Sequence, residues 1–232
     1  MNLPIKDMWF ILAAYNEEKQ IEKTVKNLKN AGYSNIVVVD DGSEDRTYEL
    51  AKKQGVHVLR HAINMGQGAA LRSGTDYALN KKAKYIIHFD ADGQHRVEDI
   101  PAMMQPLLKK EAEICLGSRF LDKNKKTKMP FHRTFYVKGG LFFTKIMTGL
   151  KITDTHNGFR TMTAKAAKEL EITQDEMEHA SEILELIARK KIKYKEVPVV
   201  IDYNEEIMQN SKNSFKSGVK IIFRTIWYKF MK

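Results

Sequence analysis

Two periods of apolar residues alternate along this chain. Runs of strand length recur at Met8 to Ala13, Asn35 to Val39, Val56 to Arg60, Tyr85 to Phe89 and Glu113 to Gly117. Their length and their β-branched and aromatic residues predict buried strands. Between them, apolar residues fall three or four apart, as Ile21, Val25 and Leu28 do within Glu17 to Asn30. Helices are expected there, over Ser43 to Gln54, over Gly68 to Asn80 and from about Val97 to Lys110. This alternation predicts an α/β fold: right-handed crossovers and a mostly parallel sheet flanked by helices. In such a sheet, ligands sit at the carboxyl ends of the strands.

Polar or glycine-rich clusters fall at each of those ends: Tyr15-Asn16-Glu17, Asp40-Asp41-Gly42-Ser43, Asn64-Met65-Gly66-Gln67-Gly68, Asp90-Ala91-Asp92-Gly93-Gln94 and Gly117-Ser118-Arg119. Asp90 and Asp92 lie two residues apart just past a strand, where both can turn toward one point. Hard divalent cations such as Mg²⁺ and Mn²⁺ take oxygen ligands and share them with phosphates. Gln94 adds a neutral oxygen. An acidic turn is the plain alternative. Asp40 or Asp41 suits a nucleobase N–H or a ribose hydroxyl, while Ser43 equally suits a helix cap. Gly66 and Gly68 mark either a turn or a close backbone approach to phosphate at a helix N-terminus.

The 232 residues suffice for one large domain with a sizeable core. A net charge of +10 and a pI near 9.4 point to an anionic partner. Cys115, the single cysteine, reads as a buried core thiol of a cytosolic protein. The N-terminus does not read as a signal peptide, and no apolar run reaches the roughly 18 residues of a spanning helix. Two stretches mix basic and apolar residues. One runs from Lys123 to Lys151. In the other, residues 211–232, Phe215, Val219, Ile222, Phe223, Ile226 and Phe230 share a stripe beside Lys212, Lys216, Lys220 and Arg224. That tail reads as an interfacial amphipathic helix, part of or appended to a domain over residues 1–210. A helix packed on its own domain with a solvated lysine face is the alternative.

Taken in order, the clusters resemble the family 2 glycosyltransferases of GT-A fold, a Rossmann-like architecture. Ala14-Tyr15-Asn16-Glu17, Val38-Val39-Asp40-Asp41-Gly42-Ser43, Asn64-Met65-Gly66-Gln67-Gly68 and Asp90-Ala91-Asp92-Gly93-Gln94-His95 carry the likeness. Met129-Pro130 with Arg133, Asp154-Thr155-His156-Asn157-Gly158-Phe159-Arg160, Glu182, Glu196-Val197-Pro198-Val199 and Ser211-Lys212 extend it, toward the dolichyl-phosphate mannose synthase-like branch. Ala13 stands where the family usually has proline, Gln67 where it commonly has lysine, and His156-Asn157 where it has glutamine and serine.

The resemblance implies a metal-dependent inverting transfer of sugar from a GDP- or UDP-sugar to a polyprenyl phosphate. It implies donor contacts from Ala13, Tyr15, Glu17, Asp40, Asp41, Gly68, Ala91 and Arg119, and Mg²⁺ or Mn²⁺ on Asp90, Asp92 and Gln94. Arg133, Arg160 and Lys212 would cradle the acceptor phosphate. If the acceptor is instead a sugar hydroxyl of a lipid-linked glycan or polysaccharide, a carboxylate must take its proton. Asp154 and Glu182 are then the candidates, each with a structural alternative. The expected location is the cytoplasmic face of the membrane, reached directly or through a membrane partner protein. A non-catalytic nucleotide-binding module is the remaining alternative. No nucleic-acid-binding signature is present. His57, His61 and His88 read as ordinary residues.

Overall fold

The computed structural model describes residues 3–121, 148–155 and 157–202. Arg133, Lys212 and the amphipathic tail lie outside the described residues. The chain divides into units Met1–Ile201 and Asp202–Lys232, and every described strand and helix belongs to the first.

The strands are β1 (Met8–Ala14), β2 (Ile36–Asp40), β3 (His57–Arg60), β4 (Tyr85–His88), β5 (Ile114–Ser118), β6 (Arg160–Thr163) and β7 (Tyr194–Pro198). The helices are α1 (Ile21–Asn30), α2 (Thr47–Lys53), α3 (Gln67–Asn80), α4 (Ile100–Leu108), α5 (Ala164–Glu169) and α6 (His179–Arg189). The strands form one sheet in the order β3-β2-β1-β4-β6-β5-β7. It is parallel except for β6, which runs antiparallel to both β4 and β5.

The period-2 pattern of β1 divides the core. Met8, Phe10 and Leu12 pack with Ile21, Val25 and Leu28 of α1 and with Ile100, Met103, Met104 and Leu107 of α4. Trp9 and Ile11 face the other way, onto Ala70, Leu71 and Ala78 of α3 and Ile183, Leu184 and Ile187 of α6. Gly74 lets α3 close onto the sheet, because a Cβ there would strike the Ile11 side chain. Cys115 is buried, as its apolar run implies, and burial pushes its thiol up to about 12. No helix among the described residues is long and apolar enough to cross a membrane.

Two helices start later than their apolar periods predict. Residues 16–18 are bonded to residues 43–47 instead of winding into α1. The Asn16 N–H donates to Ser43 Oγ at 3.0 Å, the Glu17 N–H to Thr47 Oγ1 at 2.8 Å and the Glu18 N–H to Asp45 Oδ2 at 3.1 Å. Ser43 therefore caps its neighbouring loop rather than its own helix. The loops after β1 and β2 are fixed to each other at the carboxyl edge of the sheet.

Candidate functional site

At the end of β2, the two aspartates have different surroundings. Asp41 is buried and accepts the backbone N–H of Met65 at 3.0 Å and of Gly66 at 2.7 Å. It also lies 2.6 Å from His61 Nδ1, and His61 Nε2 is 3.0 Å from Ser73 Oγ. Asp41 thus holds the glycine-rich loop against the sheet. Asp40 is fully buried, and neither of its oxygens accepts a hydrogen bond among the described residues. Ala13 pairs with Val39 and Ala14 with Asp40 across the ladder, and Tyr15, exposed, follows one residue beyond the partner of Asp40. Gly68 is pressed under the Gln174 carbonyl, so its missing side chain serves packing against the 174–175 turn.

At the end of β4, the acidic residues converge. Asp90 is 2.9 Å from His95 Nε2, and Gln67 Nε2 is 3.5 Å from its other oxygen. Gly158 lies directly against Asp90: a Cβ at that position would overlap both carboxylate oxygens. Asp92 accepts the Gln94 N–H at 3.0 Å and the Gln94 side-chain amide at 2.6 Å, so Gln94 braces Asp92 through nitrogen. The buried Ala91 carbonyl accepts from Thr24 Oγ1 at 3.1 Å, pinning the turn to α1.

Crowded negative charge shows in the titration of these groups. Burial, followed by the charge of Asp90, raises Asp92 to about 6. Burial, with Asp92, Asp45 and Asp90 adding repulsion, raises Glu17 to about 7. Asp90 goes the other way. Burial opposes its ionisation, but His95, Arg160 and His179 outweigh it and hold the carboxyl below its usual range. Among the described residues, no group of three or more His, Cys, Asp or Glu side chains encloses a metal position. Two hard oxygen donors of high charge density do fit Mg²⁺ or Mn²⁺, which keep several coordination positions for water and substrate phosphate.

Behind Asp90 lies a buried basic layer. Arg160 is buried, with one guanidinium nitrogen lacking a hydrogen-bond partner among the described residues. His88 Nε2 shares a hydrogen bond of 3.0 Å with Thr75 Oγ1. Burial, then the charges of Arg160 and His179, lowers His88 to about 3, with Asp90 opposing. Burial and Arg160 lower His179 to about 4.

A histidine depressed on folding contributes stability that is present above its unfolded value and lost as pH falls toward the folded one. Between pH 7 and 5, His88→Gln should therefore lose about 2 kcal/mol less unfolding free energy than the wild type. Glu17 and Asp92, raised on folding, act in the opposite sense, so the difference between the two proteins in denaturant melts is the readout. Equal slopes would show that His88 does not titrate this way.

At the end of β5, Asp154 grips Arg119. Arg119 Nε to Asp154 Oδ2 is 2.6 Å and Nη2 to Oδ1 is 2.7 Å, with the Arg119 N–H 3.2 Å from Oδ2. Glu196 of β7 in turn accepts the backbone N–H of Thr153 at 2.8 Å and of Asp154 at 3.1 Å. Glu182, on α6, accepts the N–H groups of Thr173 and Gln174 at 3.0 and 2.9 Å. It closes the turn that covers Gly66 and Gly68. Glu182→Ala should accordingly lower stability by roughly 1–2 kcal/mol in urea melts and leave the rate per folded molecule within a few-fold. A selective collapse of turnover with unchanged stability would restore Glu182 as a proton acceptor.

The structure thus gathers Tyr15, Glu17, Asp40, Asp90, Asp92, Gln94, Arg119, Asp154 and Arg160 along one edge of the sheet. Gly158, quoted in sequence only within its motif, His88, read there as ordinary, and His179, not mentioned there, lie close to Asp90 as well. Their signal was available only in part, because their partners lie far along the chain.

Comparison with known proteins agrees with this architecture. The model of Glycosyl transferase family 2 matches residues 9–171. An uncharacterized protein of Methanocaldococcus jannaschii is 42% identical over 225 residues, covering 96% of this chain and 92% of its own length. A UDP-N-acetylglucosamine–dolichyl-phosphate N-acetylglucosaminyltransferase of Methanococcus voltae is 33% identical over 246 residues and 98% of each chain. Glucosyl-3-phosphoglycerate synthase from Mycobacterium tuberculosis, crystallised with Mg²⁺ and UDP, has a TM-score of 0.65, covering 85% of this chain and 71% of its own, at 16% identity. That last likeness speaks for the fold alone. With a family match running from β1 to α5 and a relative aligned end to end, the chain belongs to the family 2 glycosyltransferases and carries their GT-A fold.

Proposed function

We propose that this glycosyltransferase moves a sugar from a nucleoside diphosphate sugar to a polyprenyl phosphate, with Mg²⁺ or Mn²⁺ held by Asp90 and Asp92. The observation that carries the acceptor class is the engagement of both carboxylates offered by the sequence as proton acceptors. Asp154 is buried and forked onto Arg119, and Glu182 closes a turn. A hydroxyl acceptor needs a base. A phosphate monoester, with a second pKa of about 6, is already an anionic nucleophile at neutral pH. The full-length relative named for a dolichyl-phosphate acceptor supports the same reading.

In this reading, an acceptor phosphate oxygen attacks the anomeric carbon. The bond from that carbon to the diphosphate oxygen breaks, and its electron pair leaves with the nucleoside diphosphate, inverting the centre. The ion, when bound, would cancel charge on that leaving group. Asp90, kept ionised by His95 and Arg160, and Asp92, braced by Gln94, would hold it. Asp40, Tyr15 and Glu17 would seat the nucleoside. Asp154 fixes the Arg119 guanidinium, whose fork suits phosphate oxygens. Arg133 and Lys212, which the sequence offers for the acceptor phosphate, lie outside the described residues. We place the enzyme on the cytoplasmic membrane surface through the basic and apolar stripes of residues 211–232, whose attraction to anionic lipid is about 1 kcal/mol per basic residue.

The test is incubation with labelled nucleotide sugars and polyprenyl phosphate in anionic vesicles. Label should pass into organic solvent as a glycosyl phosphate lipid. Label retained only in a water-soluble glycan would favour the hydroxyl acceptor.

A further inference from the structure

We infer that Arg60 makes the donor site selective for uridine over guanosine. The inference rests on the transferase reading above and goes beyond it to the identity of the nucleotide. Asp40 ends β2 as a fully buried carboxylate whose oxygens accept no hydrogen bond among the described residues. A buried acceptor left without a donor is costly, and a ligand N–H would relieve it. Arg60, at the end of the neighbouring β3, places its Nε 3.1 Å from Asp40 Oδ2. Two other groups hold the guanidinium: Nη2 donates to the Ser43 carbonyl at 3.2 Å, and the Tyr48 ring lies beneath it at 4.7 Å. The guanidinium thus sets a positive charge and its own N–H donors against the Oδ2 side of the carboxylate. Asp40 therefore presents Oδ1 to a ligand, with Oδ2 turned toward a cation whose own N–H groups can donate.

Nucleobases differ in what they bring to such an edge. Guanine carries N1–H and N2–H side by side, and a carboxylate matches them with both oxygens. Uracil carries one donor, N3–H, flanked by the carbonyls O2 and O4. One acceptor next to a guanidinium repeats the uracil pattern in complement. Guanine would leave its N2–H facing Arg60 without an acceptor, a mismatch worth about ten- to a hundred-fold in affinity. Cytosine would turn the N3 lone pair toward the carboxylate. Asp40 has no exposed surface, so a side chain must swing for the base to enter. Tyr15, which follows the ladder partner of Asp40, is 43% exposed, whereas Arg60 is anchored at three points.

Calorimetry of the full chain with UDP and with GDP, each with Mn²⁺ and without acceptor, tests this. The wild type should bind UDP at least about ten-fold more tightly than GDP, the lower bound of the unmatched-donor penalty. Arg60→Ala, by uncovering Oδ2, should erase or invert the preference. If that variant does not fold, Arg60→Gln carries the same expectation. GDP bound as tightly as UDP by the wild type, or an unchanged ratio in a folded variant, would overturn the inference. Binding of neither nucleotide by the wild type would overturn the transferase reading, and this inference with it.

Discussion

Asp92→Asn should reduce sugar transfer by two to three orders of magnitude, the several kcal/mol expected when a metal clamp on a departing diphosphate is weakened. Asparagine keeps the shape of the side chain and an oxygen, and it can still accept the Gln94 N–H that Asp92 accepts at 3.0 Å. What it removes is charge. It also removes the repulsion that, after burial, raises Asp92 and Glu17. The variant should therefore be at least as stable as the wild type without metal, yet show a weaker thermal shift with Mn²⁺. Stability and activity moving in opposite directions would mark a functional carboxylate. Near-normal turnover, with and without added metal, would sink the metal assignment.

Gly158→Ala should be nearly as damaging, although it adds only a methyl group and introduces no charge. That methyl would overlap both oxygens of Asp90, so either the carboxylate or the backbone before β6 must move. Asp90 cannot rotate without leaving His95, 2.9 Å away. Overpacking of this kind costs typically about 1–3 kcal/mol in stability. A displacement of about 1 Å at a reacting centre can cost a hundred-fold in rate. We expect a folded, modestly destabilised protein with at least a hundred-fold loss of transfer and weakened Mn²⁺ binding. Wild-type turnover would mean that Asp90 needs no fixed position.

The sequence made the first five strands legible because each is a short apolar run between polar turns, and each ends on a cluster of functional character. Strand direction is not written in a period of two. Nothing in Arg160-Thr161-Met162-Thr163 shows that it runs antiparallel between β4 and β5. That insertion is what brings Gly158 and Arg160 to Asp90. Likewise, Asp40 and Asp41 are equivalent as neighbours in sequence. Only the folded loop assigns Asp41 to the Met65 and Gly66 amides and leaves Asp40 ion-paired to Arg60 with no hydrogen bond among the described residues. Asp154 reads from sequence as either a proton acceptor or a structural residue until Arg119, 35 residues earlier, is seen to engage it. His88 shows the same limit: its strand is evident from sequence, but the full burial and the Arg160 charge that keep it neutral are not.

The most direct test is a comparison of a polyprenyl phosphate with the same polyprenol lacking phosphate, each with labelled nucleotide sugar, in Mn²⁺ and in chelator. Label is expected in the lipid only when phosphate and metal are both present, with a rate that rises with pH through about 6 as the acceptor ionises. Equal transfer to the polyprenol, or transfer undiminished by chelator, would contradict the proposed function.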